Sequence, residues 1–130
     1  MKPIDTNFYK MLNKRKKKVP KQKISENAVT NEILEWLQWK GIYAWKNKNI
    51  PTYDPRTKAF RRLGKYEIRG VSDILGIMQD GRSLAIECKT GYNKASEVQK
   101  EFIANIKKNG GIAFVAYGID DVEKCLTQLK

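Results

Sequence analysis

The first regular pattern of hydrophobic and polar positions lies in the segment ISENAVTNEILEWLQWKG, which begins at residue 24. Its apolar residues recur every three or four positions, as on one face of an α-helix. They are Val29, Ile33, Trp36 and Leu37. Ser25 is a suitable N-cap and Gly41 a suitable stop, so we predict a helix between them. On a helical wheel, Val29, Ile33 and Leu37 fall within about 60° of Glu26, which is therefore predicted to start the buried face.

The apolar segments that follow are short and predict β-strands. Residues 42–46, IYAWK, form the first, and VSDILGIM and SLAIECK form two more, joined through QDGR, a strong β-hairpin signal. Near the C-terminus, IAFVAY has the continuous apolar character of an interior strand. Residues 46–65 are predicted to be a loop, because Pro51, Pro55 and Gly64 break any period.

Two more helices complete the predicted fold. In ASEVQKEFIANIKKNGG, Ser96 and Gln99 have capping-box spacing, and Asp120 is placed to cap a last helix. The apolar face of the first of these helices consists of Val98, Phe102 and Ile106. The face of the last consists of Val122, Cys125, Leu126 and Leu129. The order helix, three strands, helix, strand, helix predicts an α/β domain whose mixed sheet has about four strands.

The turn between the two hairpin strands decides whether their charged ends meet. A two-residue loop of residues 80–81 would set Asp73 opposite Cys88. A three-residue loop of residues 79–81 would instead pair Asp73 with Glu87, and its final glycine would take the left-handed position that this form requires. A shift of one residue turns every side chain to the other face of the sheet. We predict the three-residue loop.

Net charge narrows the class of partner. Lys and Arg number 26 against 14 Asp and Glu, and the resulting charge of +12 favours a polyanion, first nucleic acid and then an anionic membrane surface. Residues 1–23 hold nine of these basic residues and one Asp. This tail is predicted to be disordered, either as a solubilising segment or as an arm that binds phosphates. Residues 24–130 are predicted to form a single domain.

Residues 46–65 contain seven Lys or Arg and a single acid, Asp54, interleaved with aromatic residues. One interpretation is a solvated loop. The other is the lip of a nucleic-acid channel, in which cations meet phosphates and rings stack on bases. The candidate nucleic-acid-binding residues are Lys46, Lys48, Arg56, Lys58, Arg61, Arg62 and Lys65.

The chain has no apolar stretch near the roughly 20 residues that cross a bilayer, and its N-terminus has no secretory signal. We therefore expect a soluble protein of the cytoplasm, or of a host's cytoplasm if it is viral, without a membrane partner.

The residue types also limit the chemistry. The sequence has no histidine, which excludes a His general base, a Ser-His-Asp triad and a His-ligated metal, and its two cysteines have no metal-ligand spacing. Two adjacent carboxylates repel unless one is protonated or a cation lies between them, and oxygen ligands alone favour Mg²⁺ or Mn²⁺. Strand alternation places Lys89 on the face of Glu87, where it can orient a water or offset charge on a phosphate. Asp73, Glu87 and Lys89 thus suggest phosphodiester hydrolysis, the alternative being ordinary charged hairpin ends.

Two further polar residues have two interpretations each. Glu26 is either part of this centre or a first-turn carboxylate that meets the helix dipole favourably. Gln99 either caps its helix or faces the cleft.

The segments RGVSDILGI, LAIECKTG, ASEVQKEFI and NGGIAFVAYGIDDV together resemble the VRR-NUC (virus-type replication-repair nuclease) family of the PD-(D/E)XK nuclease superfamily, particularly its small stand-alone phage-like members. The resemblance runs from about residue 25 to the C-terminus. It implies a restriction-endonuclease-like fold and Mg²⁺- or Mn²⁺-dependent DNA cleavage. Asp73 matches the family aspartate, and Glu87 and Lys89 match the (D/E)XK pair. Ser72 departs from the proline that the family often has there.

The resemblance also implies roles for individual residues. The implied catalytic residues are Asp73, Glu87, Lys89 and Gln99. The implied metal ligands are Glu26, Asp73, Glu87 and the backbone carbonyl of Cys88. The resulting hypothesis is a metal-dependent DNA endonuclease of replication, repair or recombination that selects branched DNA such as Holliday junctions.

Small family members that cleave branched DNA are homodimers, so a homodimer is an expectation by resemblance. Trp36, Trp39 or Tyr43 are the candidates for an exposed interface. The alternative function is a non-catalytic nucleic-acid-binding module on the same fold.

Overall fold

The structure is a computed structural model that describes residues 24–48 and 53–129. The predicted tail, residues 1–23, lies outside the described residues. In chain order the elements are α1 (Glu26–Trp39), β1 (Tyr43–Lys46), β2 (Tyr53–Asp54), β3 (Ala59–Phe60), β4 (Ile74–Ile77), β5 (Ser83–Cys88), α2 (Glu97–Lys108), β6 (Ile112–Ala116) and α3 (Ile119–Thr127). None of these helices combines the length and the apolar character needed to span a membrane.

The predicted mixed α/β architecture, with a four-stranded sheet and three helices, is confirmed in the described part of the chain. The element order differs from the predicted one because β2 and β3 pair as a short antiparallel hairpin inside the segment predicted to be a loop. Each of these strands has two residues, too few for a hydrophobic period to be visible in the sequence.

The sheet has the order β1–β4–β5–β6, with antiparallel pairs except for the parallel pair of β5 and β6. Helices α1 and α3 pack on one face, against Ile74 and Ile86 among others. Helix α2 packs on the other face, where Ile103 contacts a cluster with Ala85 and Ala113. Side chains alternate along a strand, so Glu87 belongs to the α2 face of the sheet.

Strand β6 lies at the edge of the sheet, so the prediction of an interior strand is wrong. Its residues are nevertheless apolar on both faces. Ile112 and Ala116 pack into the cluster with α1 and α3, and Ala113 packs into the cluster with α2. A parallel strand covered by helices on both sides needs apolar residues throughout, whether or not it is an edge strand.

The β4–β5 turn has the predicted three-residue form. Ile74 pairs with Ile86, and Met78 donates its N–H to the Arg82 carbonyl over 2.8 Å, which leaves residues 79–81 as the loop. Gly81 has a φ of 93°, in the left-handed region that glycine adopts readily. One residue beyond the Ile74–Ile86 pair, the same register sets Asp73 opposite Glu87.

The helix caps are partly as predicted. The Ser25 hydroxyl accepts the Ala28 N–H over 3.1 Å, which confirms the cap of α1. The prediction that Asp120 caps α3 is wrong, because α3 begins at Ile119 and its N-cap is Gly118, two residues before Asp120. Asp121 instead accepts the Tyr117 N–H over 2.8 Å.

The buried faces of α1 and α2 also differ from the helical wheels. Glu26 is exposed, and the buried face of α1 begins at Val29 and Thr30. In α2, Val98 is 41% exposed and Ile103 is the buried residue. A wheel gives the direction of a side chain around the axis, but it does not show how much of the first turn lies over the sheet.

Gly70 lies directly on the first turn of α2. Its φ is +72°, and a Cβ there would be 2.6 Å from the Val98 carbonyl carbon and oxygen and 2.8 Å from the Gln99 nitrogen. The segment that leads into Asp73 therefore touches helix backbone, with no space for a side chain.

Gly70→Ala is expected to lower the free energy of unfolding more than Gly81→Ala, as measured by urea denaturation. Both variants place Ala in the left-handed region, at a cost of about 1–2 kcal/mol. A Cβ at Gly81 meets nothing within 4 Å, whereas the one at Gly70 overpacks α2, for about 1–3 kcal/mol more. Equal unfolding midpoints would show that the segment moves away from α2 without cost.

Candidate active site

Asp73, Glu87 and Lys89 meet at the end of the β4–β5 hairpin that is remote from its turn. Asp73 Oδ2 accepts the Cys88 N–H over 2.9 Å, and Lys89 Nζ lies 3.6 Å from Glu87 Oε1. Asp73 lies opposite Glu87, one residue beyond the Ile74–Ile86 pair of the β4–β5 register. The structure thus brings together the three residues that the sequence singled out.

Gln99 has both of the roles that its sequence position allowed: it caps its helix, and it faces the candidate site. Its side-chain Oε1 accepts the Ser96 N–H over 2.8 Å, and its N–H donates to Ser96 Oγ over 3.2 Å, which completes a capping box. Its side-chain Nε2 donates to Glu87 Oε1 over 2.9 Å. The first turn of α2 therefore fixes the orientation of Glu87.

Glu87 is the most perturbed acid of the site. It is 2% exposed, and burial, followed by the Asp73 charge and hydrogen bond, raises its pKa to about 7. Lys89 opposes this rise. Gln99 and Lys89 both contact Oε1, whereas Oε2 is buried without a partner among the described residues.

The structure brings only some of the predicted metal ligands together. The described ranges contain no cluster of three or more His, Cys, Asp or Glu side chains arranged to hold a metal ion. Glu26 is exposed in the first turn of α1, and α1 packs on the sheet face opposite Glu87. The N–H and C=O of one strand residue point to the same edge, so the Cys88 carbonyl faces Asp73 as its N–H does.

The donor set nevertheless fits a hard cation. Asp73 and Glu87 supply two carboxylates, one with an unsatisfied buried oxygen, and the Cys88 carbonyl supplies a further oxygen. Mg²⁺ is commonly bound by one or two carboxylates, with water and substrate phosphate as its other ligands.

Two buried residues beside the carboxylates take no part in this donor set through their side chains. The Cys88 thiol faces the α1 and α3 side, and burial is the main cause that raises its pKa to about 11. A thiol that stays protonated is a poor nucleophile. Ser72 is fully buried, and its hydroxyl has no hydrogen-bond partner in the part of the chain that is described.

The predicted nucleic-acid-binding residues divide into two groups. Lys46 Nζ is held against α1, where it donates to the side-chain oxygens of Asn27 and, over 3.5 Å, Asn31. The remaining six are exposed, namely Lys48, Arg56, Lys58, Arg61, Arg62 and Lys65. Sequence reasoning had no signal for the engagement of Lys46, which requires the β1–α1 packing.

The β2–β3 hairpin presents cations and rings together. Arg56 and Lys58 lie in its turn, where Asp54 Oδ1 accepts the Arg56 N–H over 2.9 Å. The Tyr53 and Phe60 rings are in edge contact, with centroids 5.6 Å apart. A cleft of about 360 Å³ is lined by Tyr53, Asp54, Pro55, Arg56 and Arg61. The sequence signal that could have predicted this hairpin was the polar stretch DPRTK, which lies between Tyr53 and Phe60.

The residues considered for a dimer interface do not form one continuous surface. Trp36 packs against the core on the α1 face, whereas Tyr43 pairs with Ile77 and stands on the α2 face. Trp39 is 81% exposed, and Lys40 Nζ lies 5.4 Å from the ring centroids of both Trp36 and Trp39.

Comparison of the chain with protein-family models, with curated proteins and with solved structures returned no match. The resemblance to the VRR-NUC family therefore stays a prediction.

Proposed function

We propose that this protein is a metal-dependent DNA endonuclease that hydrolyses phosphodiester bonds. The observation that carries the proposal is the buried carboxyl of Glu87, beside Asp73, with one oxygen held by Gln99 and Lys89 and the other without a partner. Strongly perturbed carboxyls in contact with a cationic side chain are typical of catalytic sites. In a chain without histidine, a hard cation is the partner that offsets the repulsion between two ionised carboxylates.

Each residue has a role in this proposal. Asp73, Glu87 and the Cys88 carbonyl hold Mg²⁺, for which Mn²⁺ can substitute. A divalent cation bound there supplies Lewis acidity, which activates water and neutralises charge on the phosphate. Gln99 holds Glu87 Oε1, so that Oε2 stays free for the cation. Lys89 keeps a positive charge beside Glu87 and orients the water or offsets charge on the phosphorus.

DNA fits the charge of the surface. The exposed cations Lys48, Arg56, Lys58, Arg61, Arg62 and Lys65 meet phosphates, and the Tyr53–Phe60 ring pair stands among them. Further parts of the proposal rest on the resemblance to VRR-NUC nucleases alone. They are a restriction-endonuclease-like identity of the fold, a preference for branched DNA such as Holliday junctions, and a role in replication, repair or recombination. They also include Glu26 as a further metal ligand and a homodimer.

Asp73→Asn is expected to lower metal-dependent nicking by about 100-fold or more, because it removes one of two anionic ligands. The assay follows plasmid and branched DNA with Mg²⁺, Mn²⁺ or EDTA. Asp80→Asn is the matched control, since Asp80 is exposed at the turn and pairs with Arg82 over 2.7 Å, away from the site.

The second candidate function is a non-catalytic nucleic-acid-binding module, which the exposed cations of the β2–β3 hairpin favour. It predicts DNA binding that neither EDTA nor Asp73→Asn changes, with no cleavage product. Equal, metal-independent behaviour of wild type and Asp73→Asn would overturn the nuclease.

A further inference from the structure

Two aromatic side chains stand exposed on the α2 face of the sheet, beside the region that α2 covers. Helix α2 packs on β5 and β6, whereas Tyr43 and Trp45 belong to β1 at the opposite edge. Tyr43 is 71% exposed, Trp45 is 43% exposed, and Ile77, which pairs with Tyr43, is 46% exposed. The centroids of the two rings are 5.5 Å apart. We name Tyr43, Trp45 and Ile77 the aromatic shelf.

The shelf continues the rows of side chains that contain the candidate active site. Asn47 donates its N–H to the Asp73 carbonyl over 2.7 Å, so the β1–β4 pairing extends to the row of Asp73 and Glu87. The next row on the same face contains Trp45 and Leu75, and the row after it contains Tyr43 and Ile77. Rows of one face are about 7 Å apart, which places the two rings about 7 and 13 Å along the sheet from the carboxylate row.

This spacing matches a nucleic-acid strand. A stacked strand rises about 3.4 Å per nucleotide, so the two rings correspond to roughly two to four nucleotides from a phosphate at the carboxylates. Exposed aromatic rings bind bases by stacking on their faces, whatever the sequence. Bases in an intact duplex already stack on their neighbours, so only unpaired bases present a free face to the shelf.

The segment of the chain that contains β1 and continues beyond it is basic, which suits the backbone of such a strand. Residues 41–69 carry eight Lys or Arg against Asp54 and Glu67, a net charge of +6. Lys48 is exposed and lies two residues after the end of β1. Rings flanked by cations are the combination that binds single-stranded nucleic acid, in which phosphates and base faces are offered together.

We propose that Tyr43 and Trp45 form a stacking platform for unpaired bases of the DNA strand whose phosphate lies at Asp73 and Glu87. The substrate then carries single-stranded nucleotides within a few positions of the cleaved bond, as at a flap, a splayed end or an opened junction. The position of that phosphate rests on the proposed nuclease function. The platform itself is a property of binding and is tested without cleavage.

The test measures the affinity of the full chain for fluorescent single-stranded, splayed and fully paired oligonucleotides in EDTA. The double variant Tyr43→Ala/Trp45→Ala is expected to bind single strands and splayed ends about 10-fold or more weakly, while its affinity for the intact duplex changes little. Tyr43→Phe/Trp45→Phe keeps the rings and is expected to retain wild-type affinity. Trp39→Ala removes an exposed ring on α1 and is expected to change nothing.

An equal loss of affinity for all three DNAs would overturn the platform, as would a normal affinity for single strands. Light scattering of the same proteins tests whether the shelf is instead a contact between two copies of this chain. A shift from dimer to monomer in the double Ala variant, with DNA affinity unchanged, would show that it is. Cleavage of splayed DNA by wild type in Mg²⁺ is scored separately. A failure of the nuclease function is thereby distinguished from a failure of the platform.

Discussion

Glu87→Gln is expected to abolish cleavage and, near pH 8, to raise the free energy of unfolding. Burial and Asp73 raise the pKa of Glu87 to about 7 from an ordinary value of 4.5. Because the folded value is the higher one, the stability due to protonated Glu87 is complete below the ordinary value and is lost as the pH rises through about 7. The difference amounts to about 3 kcal/mol at 1.36 kcal/mol for each pKa unit.

A glutamine at this position removes that cost without losing the local hydrogen bond. Its side-chain oxygen still accepts from Gln99, and its amide hydrogens face the Asp73 carboxylate, which the native side chain repels. We therefore expect the variant to be about 1–3 kcal/mol more stable than wild type near pH 8 and nearly equal to it near pH 4. Stability and catalysis conflict at this residue, as is common where a site needs an unsatisfied charge.

Urea denaturation at both pH values, with and without Mg²⁺, measures the effect. A cation that binds only the folded state stabilises wild type by mass action and is expected to leave the variant unchanged. Glu97→Gln is the matched control, because the Glu97 side chain is 91% exposed in the first turn of α2. A Glu87→Gln protein that is less stable than wild type near pH 8, or that still cleaves DNA, would refute this account.

The parts of the site that were predictable from the sequence are those that local backbone geometry determines. A glycine that takes the left-handed conformation suits a three-residue turn, and the turn fixes which strand residues oppose each other. Asp73 and Glu87 could therefore be paired before any tertiary contact was known. Alternation then placed Lys89 on the face of Glu87. The capping box of α2 was predictable for the same reason, since it depends on residues three positions apart. The sequence did not show that the Gln99 side-chain amide would serve both the cap and Glu87.

The parts that were missed depend on where separate elements lie over one another. Glu26 and Val98 are exposed, and the exposure of a first-turn side chain depends on tertiary packing that a helical wheel does not contain. Lys46 is held by two asparagines of α1, and β2 and β3 are too short for a period. The aromatic shelf is defined by the side of the sheet that α2 leaves exposed, and no local pattern contains that information.

Lys89→Met is expected to lower the cleavage rate by about 100-fold or more and to move the acid limb of the pH–rate profile to higher pH. Lys89 Nζ lies 3.6 Å from Glu87 Oε1 and lowers the Glu87 pKa against burial and Asp73. Without that charge the pKa rises above about 7. Glu87 must be ionised to hold a cation, so cleavage begins at a higher pH.

The measurement is kcat/KM on nicked or branched DNA across pH in Mg²⁺, for wild type, Lys89→Met, Lys89→Arg and Lys100→Met. Lys89→Arg keeps a positive charge beside Glu87, so its acid limb should stay near that of wild type even where its rate falls. Lys100 pairs with Glu97 on the exposed side of α2, and its replacement should change neither quantity. An acid limb that does not move in Lys89→Met would mean that Lys89 acts on the substrate alone. The pKa of Glu87 would then be set by burial and Asp73 without it.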